Sequence, residues 1–310
     1  MANATKFTAF LSMLLIVFLT HAGFAGDEWW QKAKQEKESP TRYAYEGTVS
    51  NSPVRALADF ENQYLEFEAS GTVDMSTVVN QPQAEIQAKE AATVRAYAEA
   101  ARFVAGMLVK AVYSVQGGIL KDSDIAAKIE ATMVKYAREV DDKVEWRGGA
   151  PLATVKIGML FQNRNGLLET VMPYIDQGVK DAGITSYQAP GKSAENSGYT
   201  GLIIDARHLS VSPSIAPMIL TGSDNKQVYG NLKVGRDFAV ERGIAGYYAT
   251  LEAAKADTDR LGANPMVIKA EKTAVSDAHL WINESDATKL YYADLNNGFL
   301  KECRVGIVIK

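Results

Sequence analysis

The residues best placed to do chemistry lie in Ile204-Asp205-Ala206-Arg207-His208-Leu209-Ser210, where Asp205, His208 and Ser210 supply the three group types of a nucleophilic triad. Groups this close along a strand end point in different directions. Working triads are assembled from separated segments around an exposed nucleophile elbow, and no G-x-S-x-G accompanies these three. The expectation is a strand end at which Asp205 and Arg207 face solvent or pair with each other and serve as contact residues. Metal chemistry is limited by supply. The chain has three histidines and one cysteine, and only His208 and His279 lie beyond the first 25 residues, so a histidine-rich site is excluded. Asp257 and Asp259 lack the further oxygen ligands and the closing glutamate of an EF-hand loop. Gly235 to Gly246 lacks the spacing of a phosphate cradle and reads as loop and turn. Carboxylates are plentiful but scattered, with no spacing that marks an acid–base pair. Asn283-Glu284-Ser285 matches a glycosylation acceptor, while Ser285 also suits a helix cap. Cys303 precedes an apolar run and reads as a buried structural thiol. No catalytic residue, cofactor site or metal site is therefore expected, and the chain does not read as an enzyme.

Elements that would position these residues are legible in the periodicity. Leu65, Phe67, Ala69 and Val73 alternate as in a half-buried strand. A long alanine-rich helix is expected from about Ala84 to Met107, with Val94, Tyr97, Ala101, Val104 and Leu108 as its apolar stripe. Past the breaker Gly117-Gly118, a second helix should bury Ile125, Ile129, Met133 and Tyr136. Strands at Lys143 to Trp146 and Ala153 to Phe161 flank a turn at Arg147 to Pro151. From Asn163 to Tyr199 the pattern weakens into a glycine-rich and proline-bearing connection, with a short helix allowed at Leu167 to Val179. Beyond it come a strand at Thr200 to Ala206 and a hairpin turned through Ser223-Asp224-Asn225-Lys226. A helix ending at Leu261-Gly262 follows, then strands at Met266 to Ala270 and Leu280 to Asn283. Ser285 should cap a helix running to about Leu295, and the continuous apolar run Val305 to Ile309 suits an interior strand.

The N-terminus indicates compartment. Lys6, the apolar run Phe7 to Leu19 and the small residues up to Ala25 form the three-part layout of a secretory signal peptide. The run is shorter than the roughly 20 residues that span a bilayer. Residues 26–63 read as a polar leader. Its Trp29-Trp30 pair suits either intramolecular packing or docking on a partner or a lipid headgroup layer. With 47% apolar residues and a formal net charge of −4, the chain can build sizeable cores but offers no basic footprint for nucleic acid.

Two stretches carry a family resemblance. Ala69-Ser70-Gly71-Thr72-Val73, the helix segments Ala88-Lys89-Glu90-Ala91-Ala92 and Tyr97-Ala98-Glu99-Ala100-Ala101, and the paired strands after them make residues 64–162 resemble the FlgP-type outer-membrane lipoprotein family. The N-terminal region of the flagellar protein FlgT is also similar. Tyr199 to Arg207, Tyr229-Gly230, Asn264 to Ala270 and Phe299 to Val305 make residues 199–310 resemble the C-terminal half of envelope proteins of the same broad group. The resemblance implies a non-enzymatic envelope component, in some members part of a ring or disk at the flagellar motor. Unlike the lipoprotein members, this chain has no lipid-bearing cysteine after its apolar run.

The expected fold class is α+β, with two domains, 64–162 and 199–310, joined by residues 163–198, each a mainly antiparallel sheet with helices on one face. The expected protein is exported, and periplasmic or associated with the outer membrane. It would act by self-assembly or by binding other envelope proteins, with peripheral membrane contact through Trp29-Trp30. The alternative is a module that binds a glycan or small ligand in the cleft between the domains.

Overall fold

The computed structural model describes residues 42–49, 52–60, 63–113, 122–162, 166–191, 198–273 and 277–310. The first half begins with strands β1 (Arg42–Val49), β2 (Ser52–Asp59) and β3 (Tyr64–Thr72), followed by helices α1 (Gln81–Tyr113) and α2 (Asp122–Tyr136), then β4 (Arg138–Arg147) and β5 (Ala150–Leu160). These strands form one antiparallel sheet in the order β1-β2-β3-β5-β4. The turn between β4 and β5 pairs Arg147 with Ala150 across Gly148 and Gly149, whose φ values are +58° and +82°. Two successive positive φ angles match the right-handed twist of a hairpin, and glycine adopts them without a Cβ penalty. β1 and β2 correct the expectation of a polar leader over residues 26–63 where that stretch is described: residues 42–49 and 52–59 are strands. β2 turns Val54, Ala56 and Ala58 at alternate positions into the core, and it pairs with β1 on one side and β3 on the other.

α1 lies on this sheet through Ala84, Ala88, Ala92, Ala96 and Ala100, all fully buried. Asn80 caps it, accepting the Gln83 N–H at 2.9 Å. This corrects the apolar stripe read from the sequence: Tyr97, Ala101 and Val104 do turn inward, but Val94 is 66% exposed on the opposite face. The helix–sheet spacing explains the choice. β3 presents Gly71 beneath the helix backbone, and only a row of small side chains permits so close an approach. α2 buries Ile129 and Met133 as expected.

α3 (Leu167–Asp181) is the short helix that the sequence allowed at Leu167 to Val179 in the connection between the halves. Leu167, Leu168, Val171, Met172, Ile175 and Val179 are all buried along one side. Pro173 and Gly178 inside it obscured the helical signal, since both are poor interior residues.

The second half contains β6 (Gly201–Asp205), β7 (Ile219–Thr221), β8 (Lys226–Tyr229), α4 (Arg236–Arg242), β9 (Gly246–Tyr248), α5 (Leu251–Ala256), α6 (Thr258–Leu261), β10 (Pro265–Lys269), β11 (Lys272–Thr273), β12 (Leu280–Trp281), α7 (Glu284–Asn297) and β13 (Val305–Val308). The class is α+β, as expected. One of its two sheets differs in detail, because β10-β6-β13-β9 pair entirely in parallel. β13 is buried along its whole length and β6 along all but its last residue, the condition under which parallel strands read as unbroken apolar runs. The other sheet, β11-β12-β7-β8, is mixed. Asn283, not Ser285, caps α7, accepting the Asp286 N–H at 2.8 Å.

One contiguous apolar core runs through residues 54–309. At the junction of the halves Phe60 packs against Phe161, with ring centroids 5.0 Å apart, and edge-on against Tyr247 at 5.3 Å. The Tyr247 hydroxyl donates to the Ser214 carbonyl at 3.1 Å and accepts the Ser214 N–H at 2.9 Å. Aromatic packing thus occupies this part of the boundary where the sequence suggested a cleft.

Candidate functional site

In open parallel sheets, ligands and contacts concentrate at the carboxyl ends of the strands, and Asp205 stands at that end of β6. Arg207 grips it in a bidentate pair, donating from Nε to Oδ1 at 2.9 Å and from Nη2 to Oδ2 at 2.7 Å, while the Arg207 backbone N–H also donates to Oδ1 at 3.2 Å. The guanidinium bonds hold the Asp205 carboxyl below its usual range. His208 and Ser210 are exposed beside it. The carboxylate that would orient a catalytic histidine is already engaged by Arg207, so these residues form a local charged turn, one of the two arrangements expected.

Because the pair is largely solvated, Asp205→Asn should change stability by less than about 1 kcal/mol, measurable as a small shift in thermal midpoint. The sign is set by the depressed folded pKa. The contribution is present above the unfolded carboxylate pKa and is lost as pH falls through the folded value.

The other reactive groups serve the fold. His279 is fully buried and its Nδ1 accepts the Met218 N–H at 3.2 Å, which leaves the ring proton on Nε2. Asp257 caps α6 through the Arg260 N–H at 3.0 Å and accepts the Tyr248 hydroxyl at 2.7 Å, so its carboxylate is committed. Asp294, nearly buried, pairs with Lys233 at 3.1 Å and accepts the Leu300 N–H at 2.7 Å, closing the turn after α7. Cys303 is fully buried in that turn with φ +57°. Burial pushes its thiol up to about 11, and only the thiolate is nucleophilic. Among the described residues no group of three or more His, Cys, Asp or Glu side chains is placed to hold a metal ion.

Burial also raises the hydroxyls of Tyr229 and Tyr247. A raised folded pKa stabilises the fold below the unfolded value and is lost as pH rises through the folded one. The thermal midpoint should therefore hold to about pH 9 and fall steadily at higher pH. In the same series Cys303 should react with a thiol reagent at neutral pH only after denaturant is added.

The outer face of α1 offers a different surface. Glu90, Ala91, Val94, Arg95, Ala98 and Arg102 line a groove of about 550 Å³ along the helix. Ile86 and Val94 are 60% and 66% exposed, and Val79 just before the helix is 88% exposed. Arg95 donates to the Ser70 carbonyl at 3.2 Å and Arg102 pairs with Glu99, so the charges beside the groove are held in place. Sequence reasoning missed this surface by assigning Val94 to the core. The five alanines spaced four apart were the signal that could have found it. Trp29 and Trp30 lie outside the described residues. No helix among the described residues is long and apolar enough to cross a membrane.

Residues 201–310, which carry both C-terminal sheets, match the family model described as the second domain of Treponema pallidum Tp0624. No curated protein matches the chain.

Proposed function

We propose that this chain is a non-enzymatic, exported cell-envelope protein that works by protein contact, with copies of itself or with other envelope proteins. The observation that carries the reading is the outer face of α1, where Val94 stands exposed in a groove flanked by fixed charges and Ile86 is exposed on the same helix. Exposed apolar side chains bordered by polar ones mark contact surfaces on soluble proteins. The signal-peptide layout of residues 1–25 supports export. The resemblance of residues 199–310 to the C-terminal half of envelope proteins favours a place among them, and residues 201–310 are similar to the Tp0624 second domain. The resemblance of residues 64–162 to the FlgP-type family favours a flagellum-associated structural component, periplasmic or held at the outer membrane without a lipid anchor.

The test is the mass of the chain beginning at Gly26, measured by light scattering over a wide concentration range, together with capture of partners from an envelope extract. Assembly, or capture of a partner that Val94→Glu abolishes, supports the reading. A strict monomer that captures no protein but binds cell-wall fragments would overturn it in favour of a ligand-binding module.

A further inference from the structure

The first sheet has two edges, and the sequence treats them differently. β4 carries Arg138, Glu139, Asp141, Asp142, Lys143 and Glu145, and its pairing with β5 shifts register between Glu139 and Asp141. Charges and bulges of this kind keep an edge from accepting another strand. β1 has no bulge and far fewer charges. It runs in unbroken register against β2, from Arg42↔Asp59 to Val49↔Ser52, and among the described residues β2 is the neighbour it has in the sheet. Its eight residues include two charges, Arg42 and Glu46. A regular edge with so few charges presents a row of backbone donors and acceptors to a strand that can match it.

We propose that β1 joins two copies of this chain, pairing antiparallel with β1 of a second copy about a two-fold axis at Ala44. This rests on the assembly reading above and names its partner. The segment Arg42-Tyr43-Ala44-Tyr45-Glu46 reads the same in both directions in chemical terms: opposite charges at the ends, tyrosines inside them, alanine at the centre. About Ala44, each Arg42 stands opposite Glu46 of the other copy and each Tyr43 opposite Tyr45. Opposite-charge and aromatic cross-strand pairs both stabilise an antiparallel ladder. Backbone groups alternate along an edge, so directly opposite residues must both be odd or both be even in number, and the axis has to pass through a residue. The neighbouring choices are poorer. An axis at Tyr43 leaves Glu46 with no residue of β1 opposite it. One at Tyr45 places Arg42 opposite Thr48, and one at Glu46 sets that carboxylate against itself. A two-fold contact of this kind is self-limiting, since the same edge is used on both copies.

The experiment uses the chain beginning at Gly26, with association measured by sedimentation at low salt and folding checked by circular dichroism. Arg42→Glu and Glu46→Arg should each weaken association roughly tenfold, because each sets like charges opposite one another at two symmetric positions. The double variant should return it to the parent value. Ala44→Cys, a milder change, should form a disulfide-linked dimer under gentle oxidation, since residues directly opposite in an antiparallel pair lie within disulfide reach. Gly47→Cys, well off the axis, should not. If the parent chain assembles while the reversals leave association unchanged and Ala44→Cys stays unlinked, the β1 pairing is wrong and the assembly reading stands. A parent that is monomeric at every concentration removes self-assembly altogether. A chain starting at Arg42 that dimerises when the Gly26 chain does not would show that residues 26–41 occupy the edge instead, which also overturns the proposal.

Discussion

Gly71→Val is expected to destabilise the protein by more than about 3 kcal/mol, the upper end of overpacking costs. A Cβ at position 71 would lie 2.3 Å from the Ala92 backbone nitrogen and 2.7 Å from the Ala88 carbonyl oxygen. Both obstacles are helix backbone, so no side-chain rotation relieves them. Either α1 lifts away from β3, opening the contact made by the fully buried Ala84, Ala88, Ala92, Ala96 and Ala100, or β3 leaves its ladder with β5. Urea titration followed by circular dichroism would measure the loss as a lower midpoint. Gly149→Ala is the control: its φ of +82° is strained for alanine, but nothing lies within 4 Å of the added carbon, so the expected cost is about 1 kcal/mol. Equal effects at the two positions would show that the helix does not rest on Gly71.

Phe60→Ala should cost roughly 3 to 5 kcal/mol, the range for removing a buried aromatic ring. For a chain of this size that lowers the thermal midpoint by roughly 10 °C. The ring is 1% exposed and contacts Phe161, the residue after β5, and Tyr247 from the parallel sheet. Its loss removes apolar contact on both sides of the junction, so calorimetry should resolve two overlapping transitions where the parent shows one. A variant that melts as a single sharp transition at the parent midpoint would mean the halves are coupled elsewhere, for instance through the 2.9 Å bond from Asn231 to Asp176. Phe60→Leu, which keeps most of the volume, should recover most of the stability.

The sequence by itself determined the local devices. Gly148-Gly149 between apolar alternations specifies a two-residue hairpin, and Ser223 to Lys226 a second turn, because few residue types adopt the backbone angles those turns need. The 3.6-residue spacing of Ile129 and Met133 defines the buried side of α2, and the run at Val305 to Val308 an interior strand. The scarcity of histidine and cysteine bounded the chemistry before any fold was known, and the pairing of Asp205 with Arg207 was one of two arrangements the residues allowed.

Tertiary structure decided whatever depends on a distant partner. Val54, Ala56 and Ala58 of β2 are small and set among polar and breaker residues, so their alternation counts as a core face only once β3 stands beside them. Alanine sits as readily on the exposed face of a helix as on the buried one, so the buried side of α1 was settled by Gly71 beneath it, not by Val94 or its neighbours. The sequence allowed α3 without requiring it, because Pro173 and Gly178 weaken the helical signal; their cost is offset by burying six large apolar side chains at once. Strand direction in the second half was equally invisible, since parallel and antiparallel pairing can bury the same apolar residues and only the route of the connections distinguishes them. Local backbone preferences act within a few residues, whereas the burial that selects a helix face or a strand neighbour is a property of two surfaces meeting, and one segment of sequence carries only one of them.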